Sequence, residues 1–229
     1  MATTTNTNSP LDLLSSVPLF QELSSLELHK LAECLSPQII PKNETIYKAN
    51  SFSDSLFILT NGTVKIGTDS SEGREVIKQI LHPISIFGEL GLVGEERRQD
   101  TAVAMNNEVH LLTLQTHDLI NLMRHNHGLS LRLLQWFGSR LRHTEHRLES
   151  LILKDARQRI IDFLKDAAHQ RGQRIGYETL IKHSLTQQDI ANITGTSRQT
   201  VTSVLNDLRK NNLIHFTRRR ILIRDLAKL

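Results

Sequence analysis

The stretch Leu185 to Ile214, LTQQDIANITGTSRQTVTSVLNDLRKNNLI, constrains the fold more than any other in the chain. Thr186 followed three residues later by Asp189 is a helix-start signal, and Ile190 and Ile193 place apolar groups on one side of the short helix that follows. Thr194-Gly195-Thr196 breaks that helix, and Thr196 or Ser197 can cap a second one running through Leu208. Ala191 is small where two helices would cross, Gly195 supplies the turn four residues on, and Val201 returns to the crossing, with Ile190 and Val204 completing a small core. Those five positions together predict a helix-turn-helix. A plain helical hairpin, the simplest alternative, does not require all of them.

The segment after it, LIHFTRRRILIRDL, predicts two short strands about a basic turn at Arg218, Arg219 and Arg220. An arginine triplet is often no more than a solvated turn. At a hairpin tip beside a helix-turn-helix it forms a wing able to reach phosphates. Charge agrees with this placement: from Lys154 onward there are 15 Lys and Arg against 7 Asp and Glu, a balance of +8, whereas residues 1–153 carry −4 of the overall +4. A basic module joined to a mildly acidic larger one suggests a polyanion-binding unit with a separate partner domain.

Upstream the texture differs. From about Pro37 to Leu114 short strand-like runs (TIYKA, SLFIL, TVKIG, EVIKQIL, AVAM, EVHLLTL) alternate with turn clusters such as NSFSDS and DSSEG, which predicts an antiparallel sandwich of the jelly-roll kind. Ser24 to Leu35 opens as an amphipathic helix with Leu28, Leu31 and Leu35 on one face and Cys34 packed within it. After His117 the pattern turns helical. Leu134, Leu141 and Leu148 recur at seven, interleaved with Phe137, Thr144 and Leu151, a stripe suited to a parallel dimer seam or to a helix lying against its own domain. A third helical segment begins at Lys154 and ends at Arg171 with Gly172 as its cap.

The expected class is therefore α+β, divided into a disordered polar lead (1–16), a jelly-roll domain (17–128), a long helix that carries the candidate dimer stripe (129–153) and a winged helix-turn-helix domain (154–229). No window approaches the roughly 18 continuous apolar residues of a membrane span, and the start MATTTNTNSP lacks the basic and apolar regions of a secretory signal. The single Cys34 allows no internal disulfide and no multi-cysteine metal or iron–sulfur site, so a reducing cytoplasm is expected.

In this order, SLFILTNGTVKI with Gly62, FGELGL with Gly88-Glu89-Leu90, and LTQQDIANITGTSRQTVTSVL resemble the Crp/Fnr family of bacterial transcription regulators over almost the whole chain. The resemblance implies a homodimer that binds a palindromic operator in double-stranded DNA and signals to RNA polymerase, with the N-terminal domain as sensor. It places Ser197, Arg198, Gln199, Thr200, Thr202 and Ser203 at the major groove. Arg198 can bind guanine O6 and N7 or clamp a phosphate, and Gln199 can read adenine. Many relatives have Glu and Arg at the positions of Gln199 and Ser203, so the operator should differ from theirs. Thr186 and Gln187, at a helix amino end, are phosphate-contact candidates.

In cyclic-nucleotide-binding relatives the Gly-Glu-Leu turn holds a ribose, and an Arg-Ser or Arg-Thr pair about ten residues later holds the cyclic phosphate. Here that step reads Gln99-Asp100-Thr101, and a carboxylate there would repel an anion. Arg98 lies two residues before Asp100, where strand alternation would aim it at another face, although a one- or two-residue slip would bring it into the pocket. The pocket candidates are thus Gly88, Glu89, Leu90, Arg98, Asp100, Thr101 and, at the position on the long helix that meets the nucleobase in relatives, Thr144. The expected sensor does not use cyclic AMP, and its cofactor is unknown. A haem-dependent or other small-ligand sensor of the same family stays open, since eleven histidines could supply an axial ligand. A cupin-like metal enzyme would place a His-x-His pair on a strand. His125-x-His127 falls at a helix start and His143-x-x-His146 within a helix, so no metal site and no catalytic residue is assigned.

Overall fold

The computed structural model describes residues 10–229, which cluster into two compact units. Helix α1 (Pro10–Ser16) opens the first unit, with Pro10 at its first position and Leu14 fully buried. This corrects the expected polar lead over 10–16; residues 1–9 lie outside the described residues. Helix α2 (Ser25–Glu33) starts on a reciprocal capping box between Ser24 and Glu27. Cys34 caps its other end and is exposed rather than packed.

Eight strands follow: β1 (Ser36–Pro41), β2 (Thr45–Tyr47), β3 (Ser55–Asn61), β4 (Val64–Asp69), β5 (Glu75–Leu81), β6 (Ser85–Phe87), β7 (Thr101–Ala104) and β8 (Glu108–Gln115). They form two four-stranded sheets, β1-β8-β3-β6 and β2-β7-β4-β5, whose orders skip between sheets as a jelly roll requires. Alternation on β3 divides the core. Leu56 and Ile58 join the helical side with Leu14, Phe20, Leu114 and Leu129, while Phe57 and Leu59 fill the space between sheets with Tyr47, Phe87 and Val109. Gly62 turns β3 into β4 at a φ of 95°, with β8 so close that a Cβ would lie 2.9 Å from Val109 Cγ2. Helix α3 (Thr116–His125) then leads to α4 (His127–Leu153), whose start is fixed where Asn126 Oδ1 accepts from Leu129 N at 2.8 Å.

The second unit holds residues 143–229 together with the β4–β5 hairpin segment Asp69–Lys78. Helix α5 (Ala156–Arg171) begins two residues later than expected, because Asp155 rather than Lys154 supplies the cap to Gln158 N. Gly172 ends it for a different reason from the usual left-handed turn. Its φ is −67°, but a Cβ there would lie 2.3 Å from Ala168 O and 2.4 Å from Thr179 Cγ2. Strands β9 (Gln173–Ile175) and β10 (Glu178–Lys182) follow, then helices α6 (Gln187–Thr194) and α7 (Arg198–Lys210), then β11 (Ile214–Thr217) and β12 (Arg220–Ile223). The last four strands form one sheet in the order β11-β12-β10-β9, so the wing is twice as wide as the two strands legible in the sequence.

Candidate nucleic-acid interface and sensor pocket

Thr186 and Asp189 cap α6 reciprocally: Asp189 N donates to Thr186 Oγ1 at 3.1 Å, and Thr186 N donates to Asp189 Oδ2 at 2.7 Å. The helix stops at Gly195, whose φ of 63° is the left-handed conformation that glycine adopts without strain. Ser197 caps α7 by accepting from Thr200 N at 3.0 Å. Ile190, Ala191, Val201 and Val204 are all buried where the two helices cross. The helix-turn-helix is therefore built on local signals, each visible in the sequence.

Its outer face is polar. Ser197, Arg198, Gln199 and Ser203 are exposed along the start of α7, and Thr200 and Thr202 are half-buried beside them. Thr202 Oγ1 lies 2.6 Å from Gln187 Oε1, which ties the first turn of α6 to the recognition face. Thr186 is exposed next to them. Arg218 and Arg219 form the turn between β11 and β12, and with Arg220 all three side chains are exposed.

Two arginines outside the motif hold its turn. Arg159 of α5 donates to Thr194 O at 2.8 Å, to Gly195 O at 3.1 Å and to Lys154 O at 2.7 Å. Arg147 of α4 donates to Ile193 O at 3.2 Å. The carbonyls at the end of a helix have no partner within it, and they mark the negative end of its dipole, so cations are stabilising there. Neither arginine carried a sequence signal, because both reach residues at least 35 positions away.

In the first unit the Gly-Glu-Leu turn is a single 3₁₀ stretch, Glu89–Val93, entered through Gly88 at a φ of 73°. Glu89 is only 3% exposed and accepts from Arg140 Nη1 of α4 at 2.6 Å. Burial pushes its carboxyl above the ordinary range and Arg140 pulls it back down, with burial the larger effect. Arg140 also lies over Trp136, 4.9 Å from the ring centroid. Leu90 remains on the surface.

Arg98 departs from the expectation based on strand alternation. Strand β7 starts only at Thr101, and the segment before it pairs instead with the 50–53 loop: Asn50 N donates to Arg98 O at 2.7 Å and Arg98 N to Ser51 O at 2.9 Å. Freed from the β7 register, Arg98 turns inward and is 4% exposed. Its guanidinium donates to Gly88 O at 3.2 Å and to Ser55 O, and sits 4.1 Å from the Tyr47 ring centroid. Asp100 Oδ1 accepts from Tyr47 Oη at 3.2 Å, and Thr101 Oγ1 accepts from Ala49 N at 3.1 Å. Burial, followed by the nearby Asp100 charge, raises the Tyr47 hydroxyl far above its usual titration range.

Along α4, Leu134, Leu141, Leu148 and Leu151 are exposed on the surface of the single chain, and Thr144 is exposed among them. Phe137 differs from the rest of the stripe. It packs partly against the helical core of the first unit and meets Trp136 edge to face at 5.1 Å. Leu151 approaches the turn of the helix-turn-helix, since a Cβ on Gly195 would lie 3.1 Å from its Cδ2. His125 ends α3 and His127 begins α4, so that pair does not lie on a strand. Among the described residues no helix is long and apolar enough to cross a membrane.

A cyclic nucleotide-binding domain model matches residues 37–126 and a Crp-like helix-turn-helix domain model matches 158–229. The chain is 30% identical over 205 residues to a global nitrogen regulator of Synechocystis, covering 87% of this chain and 91% of that protein. It is 29% identical over 218 residues to a CRP-like cAMP-activated global transcriptional regulator of Mycobacterium tuberculosis, covering 95% and 97% respectively. Among solved structures, a CooA mutant from Carboxydothermus hydrogenoformans shares the fold at a TM-score of 0.75 and 24% identity, covering 97% of this chain and 94% of that one. FixK2 from Bradyrhizobium japonicum shares it at 0.76 and 20%, covering 85% and 94%.

Proposed function

This chain belongs to the Crp/Fnr family of transcription regulators, and we propose that it acts as a homodimer that binds a two-fold-symmetric operator through α7 and the β11–β12 wing. Members of the family are regulators rather than enzymes. The observation that carries the proposal is the exposed polar start of α7 together with an exposed arginine turn, in a unit whose helix-turn-helix buries Ile190, Ala191, Val201 and Val204. Arg198 and Gln199 are the base readers in this reading, with Ser197, Thr200, Thr202 and Ser203 around them. Thr186, Gln187 and the three wing arginines hold phosphates. RNA polymerase is the further partner, by family resemblance. The apolar stripe Leu134, Leu141, Leu148 and Leu151 is the dimer seam, with Phe137 at its inner edge. The sensor domain is 17–128 with α1 added, the seam helix 129–153, and the DNA-binding domain 154–229.

The proposed sensor does not use cyclic AMP. Arg98, turned inward against the turn, has its guanidinium engaged by Gly88 O and Ser55 O beneath aromatic rings, and Glu89 is engaged by Arg140. The carbonyl contacts of Nη1 and Nη2 compete with a nucleotide phosphate for the guanidinium, although they do not use all five of its N–H donors, and Asp100 adds a like charge. Isothermal titration with cyclic AMP and cyclic GMP tests this, with no binding expected in the micromolar range. Micromolar binding that disappears in Arg98→Ala would show that the guanidinium leaves its carbonyls for a phosphate. For the DNA reading, Arg198→Ala should lose about 1 to 3 kcal/mol on the operator alone, while Arg219→Ala should weaken all duplexes alike and flatten the salt dependence. Equal losses on operator and random DNA for Arg198→Ala would remove its role as a base reader.

A further inference from the structure

Between Leu141 and Glu149 every residue of α4 is exposed except Arg147, which is half-buried. Its Nη1 donates to Lys78 O of β5 and its Nη2 to Ile193 O near the end of α6 at 3.2 Å. Burial works against its charge and lowers its proton affinity, and these two hydrogen-bond partners are main-chain carbonyls rather than carboxylates. A guanidinium in that situation makes a geometric demand. Its rigid planar fork holds two acceptors at one separation and one angle, which a flexible ammonium would not do.

The contacts around it point the same way. Asn192, the neighbour of Ile193, donates its side-chain amide to Glu75 Oε2 at 2.9 Å, and accepts from Gln188 Nε2 at 2.8 Å. A Cβ on Gly195 would lie 3.1 Å from Leu151 Cδ2 of α4. The segment Asp69–Lys78 accordingly clusters with residues 143–229 rather than with the rest of the strands. Arg159 ties the same turn only to Lys154, so it is Arg147 that brings hairpin, long helix and helix-turn-helix to one point.

We propose that Arg147 is a positioning residue for operator recognition: carried on α4 beside the seam residues Leu148 and Leu151, it holds the end of α6 and the Asp69–Lys78 segment within the second unit, and thereby fixes how far the recognition helix stands from its twin. The proposal rests on the dimeric-operator reading above. A two-fold protein on two half-sites pays for any mismatch between its own spacing and that of the DNA. A strapped module has a narrow range of spacings, and a released one has a broad range and a larger ordering cost on binding.

The test uses the full-length protein and fluorescence anisotropy at one salt concentration, on three kinds of duplex: the preferred operator, versions with one base pair added or removed between half-sites, and a single half-site. Wild type should discriminate between spacings. Arg147→Met should bind the preferred operator about tenfold more weakly, comparable to losing a charge-assisted hydrogen bond, and should discriminate little between spacings. Its binding to the single half-site should be unchanged, and Arg147→Lys should be intermediate. Arg142→Met, at an exposed position on the same helix, should behave as wild type. Full retention of affinity and spacing preference by Arg147→Met would overturn the proposal. So would an equal loss on the half-site, which indicates a folding role, or tighter binding, which indicates a restraint held away from DNA. A wild type indifferent to spacing would instead strike at the dimeric-operator reading, and the strap would fall with it.

Discussion

Replacing both Leu141 and Leu148 by alanine should convert the proposed dimer to monomer at micromolar concentration while leaving the fold intact. In the single chain these side chains are 60% and 58% exposed, so about six-tenths of each is available to be covered by a partner. Full burial of a leucine stabilises by about 1.5 to 3 kcal/mol, which gives about 0.9 to 1.8 kcal/mol for the covered part of each side chain. Two-fold symmetry removes four side chains at once, for a total of about 4 to 7 kcal/mol, or a rise of about 10³ to 10⁵ in the dimer dissociation constant. Sedimentation velocity over a concentration series reads that change directly. Leu129→Ala is the counterpart: Leu129 is fully buried in the helical core, and its loss should cost about 2 to 5 kcal/mol of folding stability without shifting the association equilibrium of the folded protein. A double variant that sediments as an unchanged dimer would refute the assignment of the seam to this face of α4.

Gly195→Ala should destabilise the C-terminal unit by about 1 to 2 kcal/mol, since an L-residue is strained at a φ of 63° and its Cβ would press on Leu151; thermal melts of variant and wild type give the difference. His183 should make that unit acid-sensitive. Burial, with a further push from the Arg171 charge, holds its imidazole below the ordinary value of 6.5, so the unfolded chain takes up the proton first. The stability of the neutral form is therefore complete above about 6.5 and lost as the pH falls through that value toward the folded one. Denaturant melts should show a declining midpoint from about pH 7 to 5, and His183→Gln should flatten it over that range.

Legibility followed the range of the interactions. The helix-turn-helix was readable because Thr186, Asp189, Gly195 and Ser197 act on neighbours within three or four residues, and the jelly roll because its strands and turns are punctuated locally. Pro10 at the first position of α1 was a local signal too, but the polar residues preceding it masked the helix. Strands β9 and β10 were hidden because Gln173 to Lys182 is short and gains its order from pairing with β12. The inward turn of Arg98 is not encoded by strand alternation, because β7 begins only at Thr101 and the chain upstream pairs with the 50–53 loop. The Glu89 to Arg140 and Arg147 to Lys78 contacts span 51 and 69 residues, and no periodicity within one element encodes them.

Selection of bound duplexes from a random DNA pool by the purified full-length protein tests the central claim most directly. The account predicts recovered sequences with two inverted half-sites whose centres lie about one helical turn, roughly 34 to 36 Å, apart, with the preference at one position in each half-site lost in Arg198→Ala. Recovery of sequences with no inverted symmetry, or of a motif unchanged by Arg198→Ala and Gln199→Ala, would contradict it.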